Sequence, residues 1–242
     1  MHQWKYKAYR TVWSALDLLF PANCGGCGKS GARWCMTCQN SVKTLTGIVC
    51  EVCGLPQEEP GICRACLASR PRFVSLRAWG VFEGPLQSAL HKLKYRRDLS
   101  MGDALAAGMM EFVQNLNWNV DLIVPIPLGK QRIRERGYNQ VAMIAKPLAM
   151  GLGLQYSEKA LWRQKETRSQ VGLSREERHK NVHDAFQADP GVKGRSILVM
   201  DDVSTTGSTL SSSADAFYAA GAEHVFALTV ARALSYHDSK RV

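Results

Sequence analysis

The chain's eight cysteines are confined to positions 24–66, and this constrains the fold more than any other feature. They form four Cys-x-x-Cys pairs: Cys24/Cys27, Cys35/Cys38, Cys50/Cys53 and Cys63/Cys66. A short turn of this kind puts both sulfurs on one side of a knuckle, within zinc–thiolate reach, and two knuckles complete a tetrahedral site. A disulfide network would need an oxidising compartment, which nothing in the chain supports. A redox motif would need strand–helix context, which four pairs in succession lack. The spacing also repeats: Cys24 to Cys50 and Cys27 to Cys53 are about 26 positions apart, the second pairs about 28, and Gly28 and Gly54 follow matching knuckles. The repeat favours sequential pairing, Cys24, Cys27, Cys35 and Cys38 on one zinc and Cys50, Cys53, Cys63 and Cys66 on the other. An interleaved pairing is the alternative. Sites with all positions filled stabilise a fold and do no chemistry, so scaffolding or partner docking is the expected role.

With 242 residues, 45% of them hydrophobic, the chain can build one well-cored domain and a small satellite. No apolar run approaches the ~18 residues of a membrane span. Near the N-terminus Lys5, Lys7 and Arg10 precede an apolar stretch, but Asp17 interrupts it and no small-residue cleavage site follows. Residues 1–22 are expected to form a short amphipathic helix with Trp13, Leu18, Leu19 and Phe20 seeking a partner surface. A cytoplasmic protein without stable membrane insertion is expected. The formal charge of +10 points to an anionic partner, nucleic acid or a polyphosphate, or else to a solvated basic face. Two four-thiolate zinc sites, each of charge −2, would lower it to about +6, which weakens the electrostatic case for nucleic acid.

From residue 71 onward the pattern changes. Residues 74–82 alternate as a strand. Pro85 opens a helix through Tyr95, carrying a basic cluster of Lys92, Lys94, Arg96 and Arg97, and a helix over 101–116 follows. Residues 122–126 read as a buried strand, and 139–151 as a helix that Pro147 should kink. Residues 196–200 form another buried strand, 208–220 a helix ended by Gly221, and 225–230 a last strand. Alternating strands and helices imply a largely parallel sheet covered on both faces, with ligands beyond the C-terminal strand ends. The expected domains are thus 1–22, a zinc module over 23–70, and an α/β domain over 71–242.

The loop after the strand at 196–200 carries the most chemistry. Two acids, Asp201 and Asp202, precede Ser204, Thr205, Thr206, Gly207, Ser208 and Thr209. Small hydroxyls and backbone N–H groups at a helix N-terminus form a phosphate cradle, and the acids can accept from ribose hydroxyls. A merely capped helix would not need two acids and five hydroxyl residues in six positions.

This segment resembles the signature of type I phosphoribosyltransferases, which use phosphoribosyl pyrophosphate with Mg²⁺. The wider pattern resembles the ComF family (ComFC/GntX-like proteins), associated with uptake of single-stranded DNA in natural competence. The resemblance runs through Leu19-Phe-Pro, the double zinc ribbon, Lys94-Tyr95, Val124-Pro-Ile-Pro127 and Arg136-Gly-Tyr-Asn-Gln140. It continues in Arg163, Thr167, Gln170, Leu173, Arg178 and Asn181, and in the signature itself. Pro147 departs from it without touching a site.

The resemblance implies a type I phosphoribosyltransferase fold behind the double zinc ribbon. It implies that Asp201 and Asp202 hold the ribose hydroxyls and that residues 205–209 bind the 5′-phosphate. The turn at Leu128 and Gly129 would receive pyrophosphate, with Arg132 and Arg136 close by, since guanidinium forks suit a diphosphate. The stretch 163–181, six Lys or Arg against three Glu, reads as a loop that in this fold closes over the site and excludes water. Three functions follow: phosphoribosyl transfer to an unknown acceptor, single-stranded DNA handling with the ligand as effector, and regulation by a sensor. No helix-turn-helix is visible for the third. Lys92, Lys94, Arg96 and Arg97 are the expected contacts for weak DNA binding, and a DNA-uptake protein is the alternative partner.

Overall fold

The structure is a computed structural model and describes residues 22–45, 47–96, 98–164 and 185–234, together with Tyr6 and Thr11. Most of the expected N-terminal helix, Arg97, and the loop residues Thr167, Gln170, Arg178 and Asn181 lie outside the described residues. The elements run α1 (Met36–Asn40), α2 (Arg64–Ala68), β1 (Leu76–Val81), α3 (Gly84–Tyr95), α4 (Ser100–Asn115), β2 (Leu122–Pro125) and α5 (Lys130–Arg136). They continue with α6 (Gln140–Leu152), β3 (Gln155–Tyr156), β4 (Leu161–Arg163), β5 (Phe186–Ala188), β6 (Ser196–Ser204), α7 (Ser208–Ala219) and β7 (His224–Arg232). Five strands form one sheet in the order β1-β7-β6-β2-β3, every pair parallel. β4 and β5 form a separate antiparallel pair.

β6 explains how the sheet is held. Its residues alternate between two apolar layers, as side chains on a strand must. Ile197 and Val199 face α7 with Leu210 and Phe217, while Leu198 and Met200 face α3, α4 and α6 with Leu93, Met109 and Ile144. Both faces are therefore covered, as an all-parallel sheet requires.

The two zinc ribbons straddle the edge of this sheet. The first sits against α3 and α4. Trp34 packs against Trp79 of β1 with centroids 6.3 Å apart, and Gln39 donates to the Gly108 carbonyl at 2.9 Å. A Cβ at Gly25 would fall 2.4 Å from Met101, and one at Gly26 2.7 Å from Pro85, so these glycines permit the close approach. The second ribbon lies on the opposite face: Cys50, Val52, Cys53 and Cys66 share the core of Phe73, Leu76 and Phe217. Between the ribbons the chain crosses the edge. The N–H of Val81 donates to Lys43 at 2.8 Å and that of Leu76 to Val52 at 2.7 Å, so β1's outer edge is partly paired by the zinc module. The expected boundary near residue 70 divides the sequence, while the apolar core runs across it.

The cysteines group sequentially. The sulfurs of Cys24, Cys27, Cys35 and Cys38 all lie within 4.8 Å of one another, and so do those of Cys50, Cys53, Cys63 and Cys66. Cys24 and Cys38 are 3.6 Å apart and Cys53 and Cys63 3.7 Å. A tetrahedron with zinc–sulfur bonds of ~2.3 Å has edges of ~3.8 Å, so both clusters fit zinc. Backbone N–H groups of Cys35 and Cys63 point at Cys24 Sγ (3.4 Å) and Cys50 Sγ (3.3 Å), as donors to thiolates do.

Pro147 lies inside α6, which continues through it to Leu152. A proline there leaves the carbonyl of Met143, four residues earlier, without its helical donor. That carbonyl abuts α4: a Cβ at Gly102 would fall 2.5 Å from it. The two helices meet where one lacks a hydrogen bond and the other lacks a side chain.

Two outcomes are expected. Helix propensity alone would favour Gly102→Ala by about 1 kcal/mol. The clash with backbone should instead make it destabilising by about 1–3 kcal/mol, and a urea titration showing a gain would contradict this packing. Cys50→Ser should cost zinc at the second site and lower Tm more than Cys27→Ser, because Cys50 is buried against the α/β core and Cys27 is exposed. Metal analysis and thermal unfolding of the pair check it.

Candidate functional site

The acid pair lies on a strand rather than in a loop. β6 keeps its register with β7 through Asp201↔Thr229, Val203↔Ala231 and Ser204↔Arg232, carrying both carboxylates to the C-terminal end of the sheet. Asp202 is buried at 5% exposure. Its Oδ2 accepts from Lys94 Nζ at 2.9 Å and from Gln140 Nε2 at 2.8 Å, and its Oδ1 from the Val203 N–H at 2.7 Å. Lys94 is itself mostly covered, at 17% exposure, so this ion pair is screened little by solvent.

Five consecutive residues assemble this arrangement. Arg136 donates to Gln140 Oε1 at 2.6 Å and lies over the Tyr95 ring at 5.4 Å. Gly137 ends α5 with φ 82°, a left-handed cap suited to glycine. The Tyr138 hydroxyl donates to the carbonyl of Leu93 on α3. Asn139 caps α6 by accepting from the Val141 N–H at 3.0 Å and donates to the Ile126 carbonyl at 2.9 Å. Gln140 reaches Asp202. The stretch thus ties α3, β2, α6 and β6 together around one carboxylate.

Beyond β6 the chain turns through Gly207, whose φ of 79° places it at the N-cap of α7. Thr206 Oγ1 lies 2.6 Å from Ser208 Oγ. Thr205 is exposed, and Thr206, Ser208 and Thr209 are partly so. Ser204 differs: it is buried, and its hydroxyl accepts from Arg232 at 3.2 Å and lies 3.4 Å from Thr229 Oγ1. Burial, and then repulsion from Asp202, push the Asp201 carboxyl up to about 7, against the Asp202 N–H and the cations Lys94 and Arg163. Arg163 stands at the end of β4, its guanidinium 5.2 Å over the Phe186 ring of β5. The paired strands therefore bring the start of the expected loop to the acids.

The remaining expected residues are less concentrated. Leu128 and Gly129 lie between β2 and α5, and Gly129 is the N-cap of α5 with φ −63°. Arg132 is exposed on α5. The basic cluster on α3 is not one solvated face: Lys94 binds Asp202, Lys92 donates to the Cys24 carbonyl at 3.0 Å, and Arg96 is exposed. Gln140 and Tyr138 were visible in sequence only as parts of a motif, because their partners lie far away along the chain.

A pH dependence follows. Below pH 3.8, the ordinary value for Asp, the folded and unfolded chains both hold the Asp201 proton. Between there and about 7 the folded chain keeps a proton that the unfolded chain releases, so stability falls as pH rises, and levels off above. Asp201→Asn should lose less stability than wild type between pH 5 and pH 8. Equal losses in urea titrations would contradict the raised carboxyl.

Comparison with known proteins agrees with this anatomy. The double zinc ribbon domain family matches residues 15–67. "DNA utilization protein YhgH" of Salmonella typhimurium is 31% identical over 206 residues, 83% of this chain and 90% of that protein. "Competence protein ComFC" of Bacillus subtilis is 27% identical over 210 residues, 82% of this chain and 80% of that one. Among solved structures, the glutamine phosphoribosylpyrophosphate amidotransferase of B. subtilis matches with TM-score 0.35 and 21% identity, over 57% of this chain and 26% of that one. The family assignment rests on the sequence relatives, and the ribbons and parallel sheet agree with it: the chain belongs to the ComF family, with a double zinc ribbon on an α/β domain built around a parallel sheet.

Proposed function

We propose that this protein binds phosphoribosyl pyrophosphate with Mg²⁺ at the end of β6 and acts in the uptake or processing of single-stranded DNA. The observation that carries the ligand is the acid pair at a strand end, followed directly by a hydroxyl-rich turn into α7. In this reading Asp201 and Asp202 accept from the ribose hydroxyls. Thr205, Thr206, Gly207, Ser208 and Thr209 offer hydroxyls and N–H groups to the 5′-phosphate. The segment at Leu128 and Gly129, with Arg132 and Arg136, takes the pyrophosphate, and Ser204 serves the site by fixing the strand end to Arg232. Mg²⁺ would arrive with the ligand and neutralise its diphosphate charge.

Transfer to an acceptor would need no protein nucleophile. Positioning the ribose and stabilising the departing pyrophosphate supply most of the effect in such chemistry. Arg163, at the end of β4, would link the loop through Thr167, Gln170, Arg178 and Asn181 to the site, and loop closure would exclude water. The alternative, a non-catalytic protein that uses the ligand as effector, needs the same binding residues.

The DNA role is supported by the names of the relatives, a DNA utilization protein and a competence protein. Eight thiols arranged for zinc suit a reducing compartment, in keeping with a cytoplasmic site of action. Among the described residues no helix is long and apolar enough to cross a membrane.

Calorimetry with phosphoribosyl pyrophosphate and Mg²⁺ tests the reading. Binding is expected, with stabilisation of about 2.7 kcal/mol at ~100 times the dissociation constant. It should be lost in the Asp201→Asn/Asp202→Asn double variant. No binding at millimolar ligand, or unchanged binding in that variant, overturns the site. Release of pyrophosphate on adding an acceptor separates transferase from effector-binding protein.

A further inference from the structure

We propose that the outer surface formed by α5 and the C-terminal end of α3 binds single-stranded nucleic acid, a base stacking on Tyr95 and a phosphate pairing with Arg134 of α5. The proposal deepens the DNA reading above and rests on it. It also moves the interface away from Lys92 and Lys94, which are engaged with Cys24 and Asp202.

Tyr95 is 69% exposed, unusual for a large aromatic ring on a helix that buries Leu86, Leu90 and Leu93. It is nevertheless held. Phe82 stacks on His91 at 6.0 Å, His91 meets Tyr95 edge-on at 5.7 Å, and the Arg136 guanidinium covers Tyr95 at 5.4 Å. A ring steadied by its neighbours loses little rotamer freedom on stacking against a ligand.

Beside it runs α5, with the sequence Lys-Gln-Arg-Ile-Arg-Glu-Arg and no buried residue. Four cations stand against one acid, Glu135, whose carboxylate already accepts from Gln131 at 2.8 Å. Its one large apolar residue, Ile133, is 39% exposed. Core packing therefore does not account for this composition; the ligand site proposed above takes Arg132 and Arg136, and exposed Arg134 stands ready for a further anion. An anionic polymer that also offers aromatic faces matches both halves of the surface: cations tracking a backbone, with a ring for a base, is how single strands are held without sequence preference. A duplex hides its base faces. A free nucleobase would meet an exposed ring rather than an enclosing pocket. An acidic peptide would use the arginines and leave Tyr95 idle. Arg136 further joins this surface to Gln140 and so to Asp202, so a strand bound here lies against the wall of the candidate ligand site.

Fluorescence anisotropy of the full chain with a labelled thymidine oligomer, and with an abasic oligomer of equal length, tests this at several salt concentrations. Tyr95→Ala should weaken the thymidine oligomer about ten-fold, within the 1–3 kcal/mol expected of one stacked base, and leave the salt slope and the abasic oligomer unchanged. Tyr95→Phe should retain wild-type affinity. Arg134→Glu should weaken both oligomers and reduce the salt slope by roughly 0.7 or more. Zinc content and Tm of each variant report its fold. The proposal is overturned if wild type binds neither oligomer at low salt, if Tyr95→Ala affects both alike, or if Arg134→Glu affects neither. Polyglutamate competing as well as the oligomer also overturns it. Titration of the same preparations with phosphoribosyl pyrophosphate separates the readings. If that ligand binds and the oligomers do not, the surface fails alone. If the oligomers behave as expected and the ligand does not bind, the surface stands and the ligand site fails.

Discussion

The outer edge of β1 is the constraint around which this molecule is organised. An edge strand presents unpaired N–H and carbonyl groups, and a sheet that leaves them open invites pairing with another chain. Here the zinc module pairs part of that edge. One ribbon lies on each face, and the chain between them hydrogen-bonds to β1 as it crosses. Two metal sites serve where one would cover a single face. Gly54 shows how tight the fit is: its φ is 67°, and a Cβ there would meet the Leu76 carbonyl at 2.5 Å. The zinc module is therefore part of the sheet's construction, and it carries α3 against the first ribbon through the bond from Lys92 to Cys24.

That placement of α3 matters on another face of the same last turn. Lys92 and Lys94 lie two positions apart, one facing the zinc module and the other Asp202. The acid pair is thereby divided: Asp202 is saturated by Lys94, Gln140 and its own neighbour's N–H, while Asp201 is left with less compensation and a raised proton affinity. Two adjacent carboxylates would otherwise repel one another. Neutralising one firmly is what allows both to sit at a strand end with little water around them.

Much of this was legible in the sequence. The four cysteine pairs repeat at nearly constant spacing, which favoured the sequential grouping over an interleaved one, and the sulfur positions decide for it. The strands at 122–126, 196–200 and 225–230 are buried on both faces, so their apolar runs marked them clearly. What was not legible has physical reasons. α5 contains a single apolar residue and has no helical periodicity, and it stands because Gly137 caps it. β3 and the β4/β5 pair are too short to show alternation. β6 was read as ending at Met200 because acids and hydroxyls resemble a loop; pairing with β7 keeps them extended. The charges on α3 looked like one basic cluster because sequence shows neighbours along a helix and not the partners its faces meet.

The sheet order has a further meaning when the chain is considered as it is made. β1 pairs within the sheet only with β7, so Leu76 finds its partner Ala227 about 150 positions later. During synthesis β1 would have both sides open for most of the time the domain takes to emerge. The knuckles precede it, and at 24–66 they can close on metal as soon as they are free of the ribosome. Val52 and Lys43 are then in place to meet Leu76 and Val81 on arrival. The zinc ribbons thus act as a built-in escort for the strand that waits longest, and a cell short of zinc would lose this protein during its synthesis more readily than after it has folded.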